Sequence, residues 1–590
     1  HEHGAACMIQ ITHLGRRTGW GQDDWLPIVS ASELREPAHR GIPKPAEDWD
    51  IERITAQYAD AAERMQAGGM DGIEVEAYGH LFDQFLSPLT NHRTDQWGGD
   101  DEGRLKFGWD VLTAIRERVG PEFIVGIRMV LDEIVPGGID THRGLQVLQR
   151  FERAGLIDFV NVIRGHIEHE VGLTEVIPIH GMASAPHLDF AGMVREHTSL
   201  TVMHASKVDE VASARHAIRE GKLDLVGMTR AHLADPHLVR KIMTGRESEI
   251  RPCVGATYCL DRIYEAGEAL CIHNAATSRE ATMPHDMEPA AERRRIVVVG
   301  AGPAGLEAAR VAGERGHDVI VLEVMPWAGG QINLAVRNPR RTDLRGIVDW
   351  RLAECARLGV DIRYDTFADG DVVAALQPDV VIVATGGQPQ MPPGFTVPPD
   401  AAARVVTSWD VLTGDATPSG DVLFFDDNGT HSALSAAEMI ARSGARLEIV
   451  TPERMFGIEV GGMNHVPYAR AFNETDTRIT LHQHVVRVET EAGRLCVLVG
   501  SDHTSHTTSR HVDWLVVDHG TAATADTYFE LQDRSSNRGA LDYGALMQGR
   551  PQALVRNDQG TFQLFRIGDA VSSRNIHAAV YDALRLVKDL

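Results

Sequence analysis

The sequence predicts an α/β chain: a barrel of parallel strand–helix units, followed by two further folds built on parallel sheets. Three observations support this fold class. Short apolar runs alternate with helical patterns up to about residue 240, a glycine-rich turn follows the apolar run Ile296–Gly300, and a similar strand begins at Asp421. Such alternation is typical of parallel sheets, because each parallel connection needs a crossover helix.

The first region contains six predicted strands with helical patterns between them. The predicted helices cover residues 51–67, 104–119, 141–154 and 209–220, and the predicted strands are Cys7–Thr12, Gly72–Ala77, Phe123–Met129, Asp158–Ile163, Thr201–Ala205 and Leu223–Met228. Six such units fit a (β/α)8 barrel without its first two strands, so we expect roughly 90 further residues before His1 in the natural protein. A six-stranded open sheet is the alternative.

Size and composition exclude several classes of protein. At 590 residues the chain is too long for one hydrophobic core and should hold three or four domains. Its net charge of −25 argues against binding to nucleic acid or to an anionic membrane surface. Its six cysteines make no disulfide framework, and no apolar run has the length of a membrane span, so we expect a cytoplasmic protein.

Polar residues stand where the predicted barrel strands end. Barrel enzymes place their chemistry at these ends and bind phosphate after the seventh and eighth strands. Gln10 ends the first predicted strand and Arg128 ends what would be the fifth barrel strand, while Ser206 and Arg230 follow the seventh and eighth. An amide and an arginine suit the polar edge of a flavin, and Ser206 and Arg230 suit its phosphate.

Three of the six cysteines lie within one stretch of 19 residues: Cys253, Cys259 and Cys271. Closely spaced thiolates are the ligands of iron–sulfur clusters, so this segment predicts a cluster. Three buried structural thiols, or a zinc site completed by a histidine, are the alternatives.

A dinucleotide-binding fingerprint follows the cysteine segment. It consists of Gly300, Gly302 and Gly305 at the spacing G-x-G-x-x-G, directly after a strand and before a helix. Glycines at these positions permit a tight turn and bring a pyrophosphate close to the helix N-terminus. Glu323 ends the next strand, where a carboxylate can bind ribose hydroxyls.

The second strand–turn–helix unit lacks this fingerprint. Its turn reads Asp426-Asp427-Asn428-Gly429-Thr430-His431, with one glycine in place of three. We expect the two carboxylates to repel a pyrophosphate, so the turn predicts the loss of a pyridine nucleotide site. A divergent NADPH site is the alternative.

Three segments resemble the FMN barrel of the old yellow enzyme family: Gln10–Arg16, Gly79–Pro88 and Asn91–Gly99. With the cysteine segment and the nucleotide folds, essentially the whole chain resembles the trimethylamine dehydrogenase and 2,4-dienoyl-CoA reductase branch. The resemblance implies FMN in the barrel, and FAD or ADP in the first nucleotide fold. Further positions of that fold match the two-dinucleotide flavoproteins: Gln331, Thr385, Gly386, Gly568 and Asp569.

The same resemblance implies a 4Fe–4S cluster on the cysteine segment. The pattern of this branch is Cys-x2-Cys-x2-Cys followed after eleven or twelve residues by Cys, and here Ala256 replaces the second cysteine. A 4Fe–4S cluster with a non-cysteine fourth ligand and a 3Fe–4S cluster are both compatible with three thiolates. Tyr258 and His273 are the nearby candidates for the fourth contact.

The predicted active-site stretch runs from Glu76 through Tyr78 to His80. By the resemblance, His80 stands where ene-reductases of the family carry a proton-donating tyrosine, in a segment one residue shorter than usual. A histidine can instead orient or deprotonate an amine, and Tyr78 offers an aromatic wall to a cationic methylamine. His166 and His169 add titratable groups at the same rim, although an ordinary solvated loop explains them equally well.

Together these features predict a flavin- and iron–sulfur-dependent oxidative N-demethylase. The expected substrate is a small N-methylated amine such as dimethylglycine or a betaine-derived N-methyl amino acid, and electrons would pass to an electron-transferring flavoprotein or a similar acceptor. The alternatives are an NADPH-dependent 2,4-dienoyl-CoA or enone reductase and a non-catalytic electron-transfer subunit. We also expect a homo-oligomer.

The expected domain boundaries follow the motifs. The barrel would take residues 1–240, the cysteine segment and linker 241–290, the first part of the FAD or ADP domain 291–400, a degenerate NAD(P)-like domain 401–540, and a return segment of the FAD domain 541–590.

Overall fold

The computed structural model describes residues 1–19, 26–393 and 395–590. The chain divides into two compact units. The first unit comprises His1–Pro178 and Met182–Thr229, and the second comprises Ile179–Gly181 and Arg230–Leu590. Among the described residues, no helix is both long and apolar enough to cross a membrane.

The first unit contains a sheet of six parallel strands in sequential order. They are β1 Met8–Ile11, β2 Gly72–Ala77, β3 Ile124–Asp132, β4 Phe159–Arg164, β5 Thr201–His204 and β6 Leu225–Val226. The helices of this unit are α1 Asp48–Ala67, α2 Leu81–Leu86, α3 Asp101–Val119, α4 Thr141–Arg153, α5 Glu170–Val176, α6 Leu188–Arg195 and α7 Val211–Arg219. The six predicted strand–helix units are therefore present.

Capping explains why two helices begin earlier than predicted. The side chains of Glu47 and Asp50 form a capping box at the start of α1, and the Asp100 carboxylate accepts a hydrogen bond from the Gly103 N–H at the start of α3. Each helix therefore starts three residues before the first residue of the apolar pattern, because the caps satisfy the free N–H groups of its first turn.

The long segment of the second unit starts within α8 Thr229–Ala234, at Arg230, and contains two parallel five-stranded sheets. The first sheet has the order β9-β8-β7-β10-β21, from β7 Arg295–Val299, β8 Asp318–Leu322, β9 Asp361–Arg363, β10 Val380–Val383 and β21 Gln563–Arg566. The second has the order β12-β19-β13-β14-β15, from β12 Val405–Thr407, β13 Asp421–Asp426, β14 Arg446–Val450, β15 Thr477–Thr480 and β19 Trp514–Asp518. The chain therefore leaves the first sheet, builds the second and returns.

The remaining strands of this unit are antiparallel. They are the pair β11 Gly387–Pro389 with β20 Thr521–Ala523, and the three-stranded sheet of β16 His484–Glu491, β17 Arg494–Ser501 and β18 Thr504–Val512. The further helices are α9 Leu238–Met243, α10 Tyr258–Tyr264, α11 Pro303–Glu314, α12 Ile332–Ala335, α13 Arg345–Arg357, α14 Gly370–Ala375, α15 Ser408–Thr413, α16 His431–Arg442, α17 Gly462–Asn473, α18 Asp526–Gln532, α19 Tyr543–Met547 and α20 Ile576–Val587.

Candidate active site and cofactor sites

The end of β2 carries a histidine–carboxylate pair. Nδ1 of His80 lies 2.9 Å from Oε2 of Glu76, and both side chains are about nine-tenths buried. Because a carboxylate only accepts, Nδ1 donates and Nε2 carries the free electron pair. The Thr12 hydroxyl lies 3.2 Å from the same Nδ1. This pairing fixes the ring and leaves Nε2 as a proton acceptor.

Tyr78 and Arg128 lie beside this pair. The Arg128 guanidinium carbon is 5.2 Å from the centre of the Tyr78 ring, and the rings of Tyr78 and His80 are stacked with centres 6.3 Å apart. Burial raises the pKa of Tyr78, so its hydroxyl remains protonated. The structure thus brings together four of the predicted residues, Glu76, Tyr78, His80 and Arg128.

A polar row crosses the sheet next to them. The Gln10 amide donates to Oε1 of Glu74 at 2.7 Å, and the Asn161 amide donates to Oε2 of Glu74 at 3.0 Å. Glu74 and Asn161 were not predicted as site residues. The alternation Ile73-Glu74-Val75-Glu76 could have identified Glu74, because residues two apart in a strand share a face and Glu76 was already a predicted site residue.

Three buried polar atoms of this sheet have no hydrogen-bond partner within the described part of the chain. They are Nε of Arg128 on β3, Oδ1 of Asn161 on β4 and Nε2 of His204 on β5. Burial lowers the pKa of His204 to about 4, and its Nδ1 donates to the Val162 carbonyl, so Nε2 is an acceptor. Arg128 and Asn161 are aligned on neighbouring strands and share one face of the sheet, whereas His204 is aligned with Val162 on the other face. The unpaired donor of Arg128 and acceptor of Asn161 fit a planar group with both kinds of atom, as a flavin has.

Two residues of α2 hold the loop in front of His80. The Gln84 amide oxygen accepts from the Arg16 N–H at 3.0 Å, and its nitrogen donates to the Gly79 carbonyl at 3.1 Å. The Asp83 carboxylate accepts from the Gly79 N–H at 2.7 Å, and burial beside Glu133 raises the pKa of Asp83 well above its usual range. The backbone at Gly79 is therefore clamped from both sides.

The rim histidines shape their own loop. Nδ1 of His169 accepts from the Gly172 N–H at 3.1 Å and caps α5, and Nδ1 of His166 accepts from the Glu168 N–H at 3.3 Å. The two rings meet edge to face with centres 4.6 Å apart, and burial, followed by His169, lowers the pKa of His166. Both histidines keep Nε2 for other contacts.

The two predicted phosphate residues lie in different units. The nearly buried Ser206 hydroxyl donates to the Val176 carbonyl at 3.0 Å. Arg230, in the first turn of α8, is half-buried, and its charge offsets part of the rise that burial causes in the pKa of Cys259. Arg230 is thus a cationic neighbour of the cysteine segment.

The three predicted ligand thiols are half-buried and form no disulfide. Burial, followed by Cys271 and Cys253, raises the pKa of Cys259 to about 11, and burial also raises that of Cys271. These thiols therefore stay protonated unless a metal takes the proton's place.

The spacing of the thiols bears on the metal. A zinc ion with Zn–S bonds of about 2.3 Å holds its ligand atoms within roughly 4 Å of each other. Among the described residues, the one set of three His, Cys, Asp or Glu ligand atoms that all lie within 4.8 Å is Glu491, Cys496 and His511. The three thiols of Cys253, Cys259 and Cys271 are therefore not all within 4.8 Å of one another, so in the described structure they do not form the compact ligand set of a single zinc ion.

The candidates for a fourth cluster ligand have other contacts. Nδ1 of His273 donates to the Pro252 carbonyl at 3.0 Å, while its buried Nε2 has no partner in the described ranges. The Tyr258 ring lies 5.1 Å from the ring of His577. The Ala256 carbonyl accepts from the Asn464 amide at 2.9 Å.

The first glycine turn forms a cradle. A Cβ added to Gly305 would lie 1.9 Å from the Gly300 carbonyl, so glycine is required there for the helix to approach the strand. A Cβ added to Gly302 would come no closer than 4.0 Å, to Gly330. The space over Gly302 is therefore open on the protein side, as a bound pyrophosphate needs.

Other predicted residues surround this cradle. The Gln331 amide donates to Asp569 at 3.1 Å, and a Cβ on Gly386 would lie 4.0 Å from that amide nitrogen. The Thr385 hydroxyl donates to the Thr524 carbonyl, and the Gly568 N–H donates to Asp582. Glu323 accepts from the N–H groups of Ala301 at 2.7 Å and Met325 at 2.9 Å.

In the second strand–turn–helix unit, a side chain of the turn accepts hydrogen bonds from the turn's own backbone amides. The Asp426 carboxylate accepts from the N–H groups of Asn428 at 3.2 Å and Gly429 at 2.7 Å, and Asp427 is paired with His519. Burial raises the pKa of Asp426 to about 7. The carboxyl group thus occupies the amides that a pyrophosphate would use, which explains the altered turn better than the repulsion we expected.

Comparisons with known proteins agree with this architecture. Residues 1–249 match the NADH:flavin oxidoreductase / NADH oxidase family, and residues 294–542 match the pyridine nucleotide-disulphide oxidoreductases. Histamine dehydrogenase from Rhizobium sp. 4-9 superposes with a TM-score of 0.86 over 99% of this chain and 83% of that one, at 22% identity. The predicted fold class, a barrel followed by nucleotide-type folds, is confirmed.

Two relatives are similar along the whole chain. A probable N-methylproline demethylase of Rhizobium meliloti (strain 1021) is 55% identical over all of this chain and 86% of its own length. An N,N-dimethylglycine/sarcosine dehydrogenase of Chromohalobacter salexigens is 42% identical over all of this chain and 86% of its own length.

Proposed function

This chain belongs to the NADH:flavin oxidoreductase / NADH oxidase family, in the trimethylamine dehydrogenase and 2,4-dienoyl-CoA reductase branch that its motifs predicted, and we propose that it oxidatively removes an N-methyl group from a small amine. It is a flavin-dependent oxidoreductase by family. The names of the N-methylproline demethylase and the N,N-dimethylglycine/sarcosine dehydrogenase describe reactions on N-methylated amino acids, which supports this substrate class.

The observation that carries the proposal is the His80–Glu76 pair. An amine must lose its ammonium proton before a neighbouring C–H bond can be oxidised, because the nitrogen electron pair supports the developing iminium. His80 offers Nε2 for that proton, since its Nδ1 is held by Glu76 at 2.9 Å. The paired carboxylate also stabilises the imidazolium that forms.

A flavin bound in the barrel would accept the hydrogen and two electrons of the N-methyl carbon. Tyr78, stacked near His80, would bound the substrate on one side and exclude water from the reacting carbon. Water would then add to the released iminium, giving formaldehyde and the demethylated amine. His166 and His169 would meet the polar end of the substrate at the rim.

We propose an N-methyl amino acid such as dimethylglycine as the substrate. Arg164 is the last residue of β4, and its guanidinium pairs with the Asp132 carboxylate at 3.3 Å. Because more than a third of the Arg164 side chain is exposed, the guanidinium can also bind a substrate carboxylate. Arg128 has an unpaired Nε and can share that charge or bind the flavin edge.

Electrons would leave through the cysteine segment. Cys253, Cys259 and Cys271 would hold an iron–sulfur cluster, which takes single electrons. The self-bonded turn at Asp426 argues against a pyridine nucleotide as the final partner. We therefore propose an external electron-transferring protein as the acceptor.

Product analysis tests this proposal. The holoenzyme is incubated with N-methylproline, dimethylglycine or trimethylamine and an artificial electron acceptor, and formaldehyde is measured. Formaldehyde from the N-methyl amino acids supports the proposal. If reduced acceptor appears without formaldehyde, the enzyme oxidises a different bond and the demethylase proposal is wrong.

A further inference from the structure

Arg341 is a buried cation without an anionic partner in the described chain. It lies in the 3-10 turn Pro339–Leu344, its side chain is 6% exposed, and its buried Nε makes no hydrogen bond. Burial lowers the pKa of Arg341, and the ionisable groups that also act on it among the described residues are Tyr468 and Arg340. A buried charge of this kind destabilises a fold unless something pairs with it.

Other buried arginines of the chain do have partners. Arg351 pairs with Glu307 at 2.7 Å, and Arg310 pairs with the same carboxylate at 2.8 Å. Arg340 pairs with Glu438, although its Nη1 is buried without a partner among the described residues. Arg341 thus differs from these arginines, because its guanidinium has no carboxylate partner among the described residues.

The surroundings of Arg341 supply further donors. His431 is the first residue of α16, and its Nδ1 lies 3.2 Å from the Tyr468 hydroxyl. The Arg340 guanidinium carbon lies 4.6 Å from the centre of the same Tyr468 ring, which brings this pair of arginines to the start of the twelve-residue helix. Burial, followed by the charge of Arg341, lowers the pKa of His431. The Thr430 side chain caps none of the first-turn N–H groups, and a helix N-terminus favours negative charge.

We propose that Arg341, Arg340 Nη1 and the start of α16 form a binding site for a small oxyanion, a phosphate or a carboxylate. The planar guanidinium matches the paired oxygens of such an anion. The site lies near the cysteine segment without using its thiols: the His180 N–H donates to the Gly255 carbonyl at 2.8 Å, and the His180 ring lies 6.3 Å from the ring of His431. It also differs from a pyrophosphate site, since Asp426 occupies the turn amides.

The experiment compares the holoenzyme with Arg341→Met. Thermal unfolding is followed in chloride, phosphate and acetate at constant ionic strength, and phosphate binding is measured by equilibrium dialysis with labelled phosphate. Arg337→Met, an exposed arginine four residues away, is the matched control. We expect phosphate or acetate to raise the Tm of the wild type and of the control.

Arg341→Met should unfold at a higher temperature than the wild type in chloride, because the unpaired charge is gone. Its phosphate affinity should be roughly 10- to 100-fold weaker, as for the loss of one charge-assisted interaction. An Arg341→Lys variant keeps the charge but not the fork, and should fold and bind phosphate more weakly than the wild type.

Three results would overturn the site. The first is an equal phosphate response in the wild type and both Arg341 variants. The second is a wild type that responds to neither phosphate nor acetate. The third is a wild type that binds NADPH but neither phosphate nor acetate, together with an Arg341→Lys variant that no longer binds NADPH. Arg341 would then contact a nucleotide and not a small oxyanion.

Discussion

Nδ1 of His80, the residue directly before α2, donates to the carboxylate of Glu76 on the preceding strand at 2.9 Å. The bond sets the tautomer of the ring, so that Nε2 is the atom left to meet a substrate. Histidine and glutamate four residues apart are brought together here by a turn that Gln84 and Asp83 hold at Gly79.

Replacing Glu76 by Gln should leave the His80 ring in place but remove the negative charge that stabilises its protonated form. We expect kcat/KM for the amine to fall by about 10²- to 10⁴-fold, the range of general base catalysis, with the flavin still bound. Steady-state kinetics and the flavin spectrum measure both quantities. His142→Gln, an exposed histidine on α4, is the control and should keep wild-type rates. Unchanged kinetics in Glu76→Gln would remove the pair from the mechanism.

Two glycine variants separate binding from folding. Gly302→Ala places its Cβ in open protein space, so the nucleotide-free protein should keep the Tm of the nucleotide-free wild type while binding of FAD or ADP is lost. Gly305→Ala meets the Gly300 carbonyl at 1.9 Å and should lower the Tm as well. Nucleotide released from purified protein is quantified by chromatography. Retention of nucleotide by Gly302→Ala would argue against the cradle.

The Asp426→Asn variant tests the hydrogen bonds of the turn through the pH dependence of the protein's stability. Because the folded-state pKa of Asp426 is raised to about 7, the folded protein prefers the neutral acid, and stability is lost as pH rises from about 4 to 7. The amide can accept the same N–H bonds but does not titrate. We expect the variant to be more stable than the wild type at pH 8, by on the order of 1–4 kcal/mol, with a smaller difference at pH 5. Urea unfolding at the two pH values measures this, and an equal difference at both would contradict it.

The cysteine segment predicts a specific pattern of metal loss. Cys259→Ser should abolish bound iron, because it removes one of three thiolates, whereas Cys496→Ser should retain it. Iron analysis and electron paramagnetic resonance of the purified variants provide the readout. Ala256→Cys should supply a fourth thiolate and slow the loss of iron in air. Full iron content in Cys259→Ser would exclude the predicted ligand set.

Apolar periodicity predicted the elements that carry the site. Gly72–Ala77 was predicted with the bounds that β2 has, because its buried alternating pattern leaves little choice of register. The start of α1 was less predictable, since the capping pair Glu47 and Asp50 precedes the apolar pattern. Helix ends depend on single polar contacts that periodicity does not report.

The site itself was predicted in part. Glu76, Tyr78, His80 and Arg128 lie together as the strand ends suggested. Glu74 and Asn161 were missed because the prediction considered only the residues where strands end, although the alternating pattern puts Glu74 on the same face as Glu76. For Asp426, the sequence showed a turn with one glycine and two carboxylates, and the loss of a nucleotide site there stays a prediction. The bonds of Asp426 to the turn amides required coordinates, because they depend on the direction of one side chain.

An anaerobic absorbance titration of the holoenzyme tests the central claim most directly. Dimethylglycine or N-methylproline is added to one cuvette and NADPH to another, and the flavin absorbance is followed. The account predicts bleaching by an N-methyl amino acid and no bleaching by NADPH. Bleaching by NADPH with no response to either amine would contradict it and make this protein a reductase.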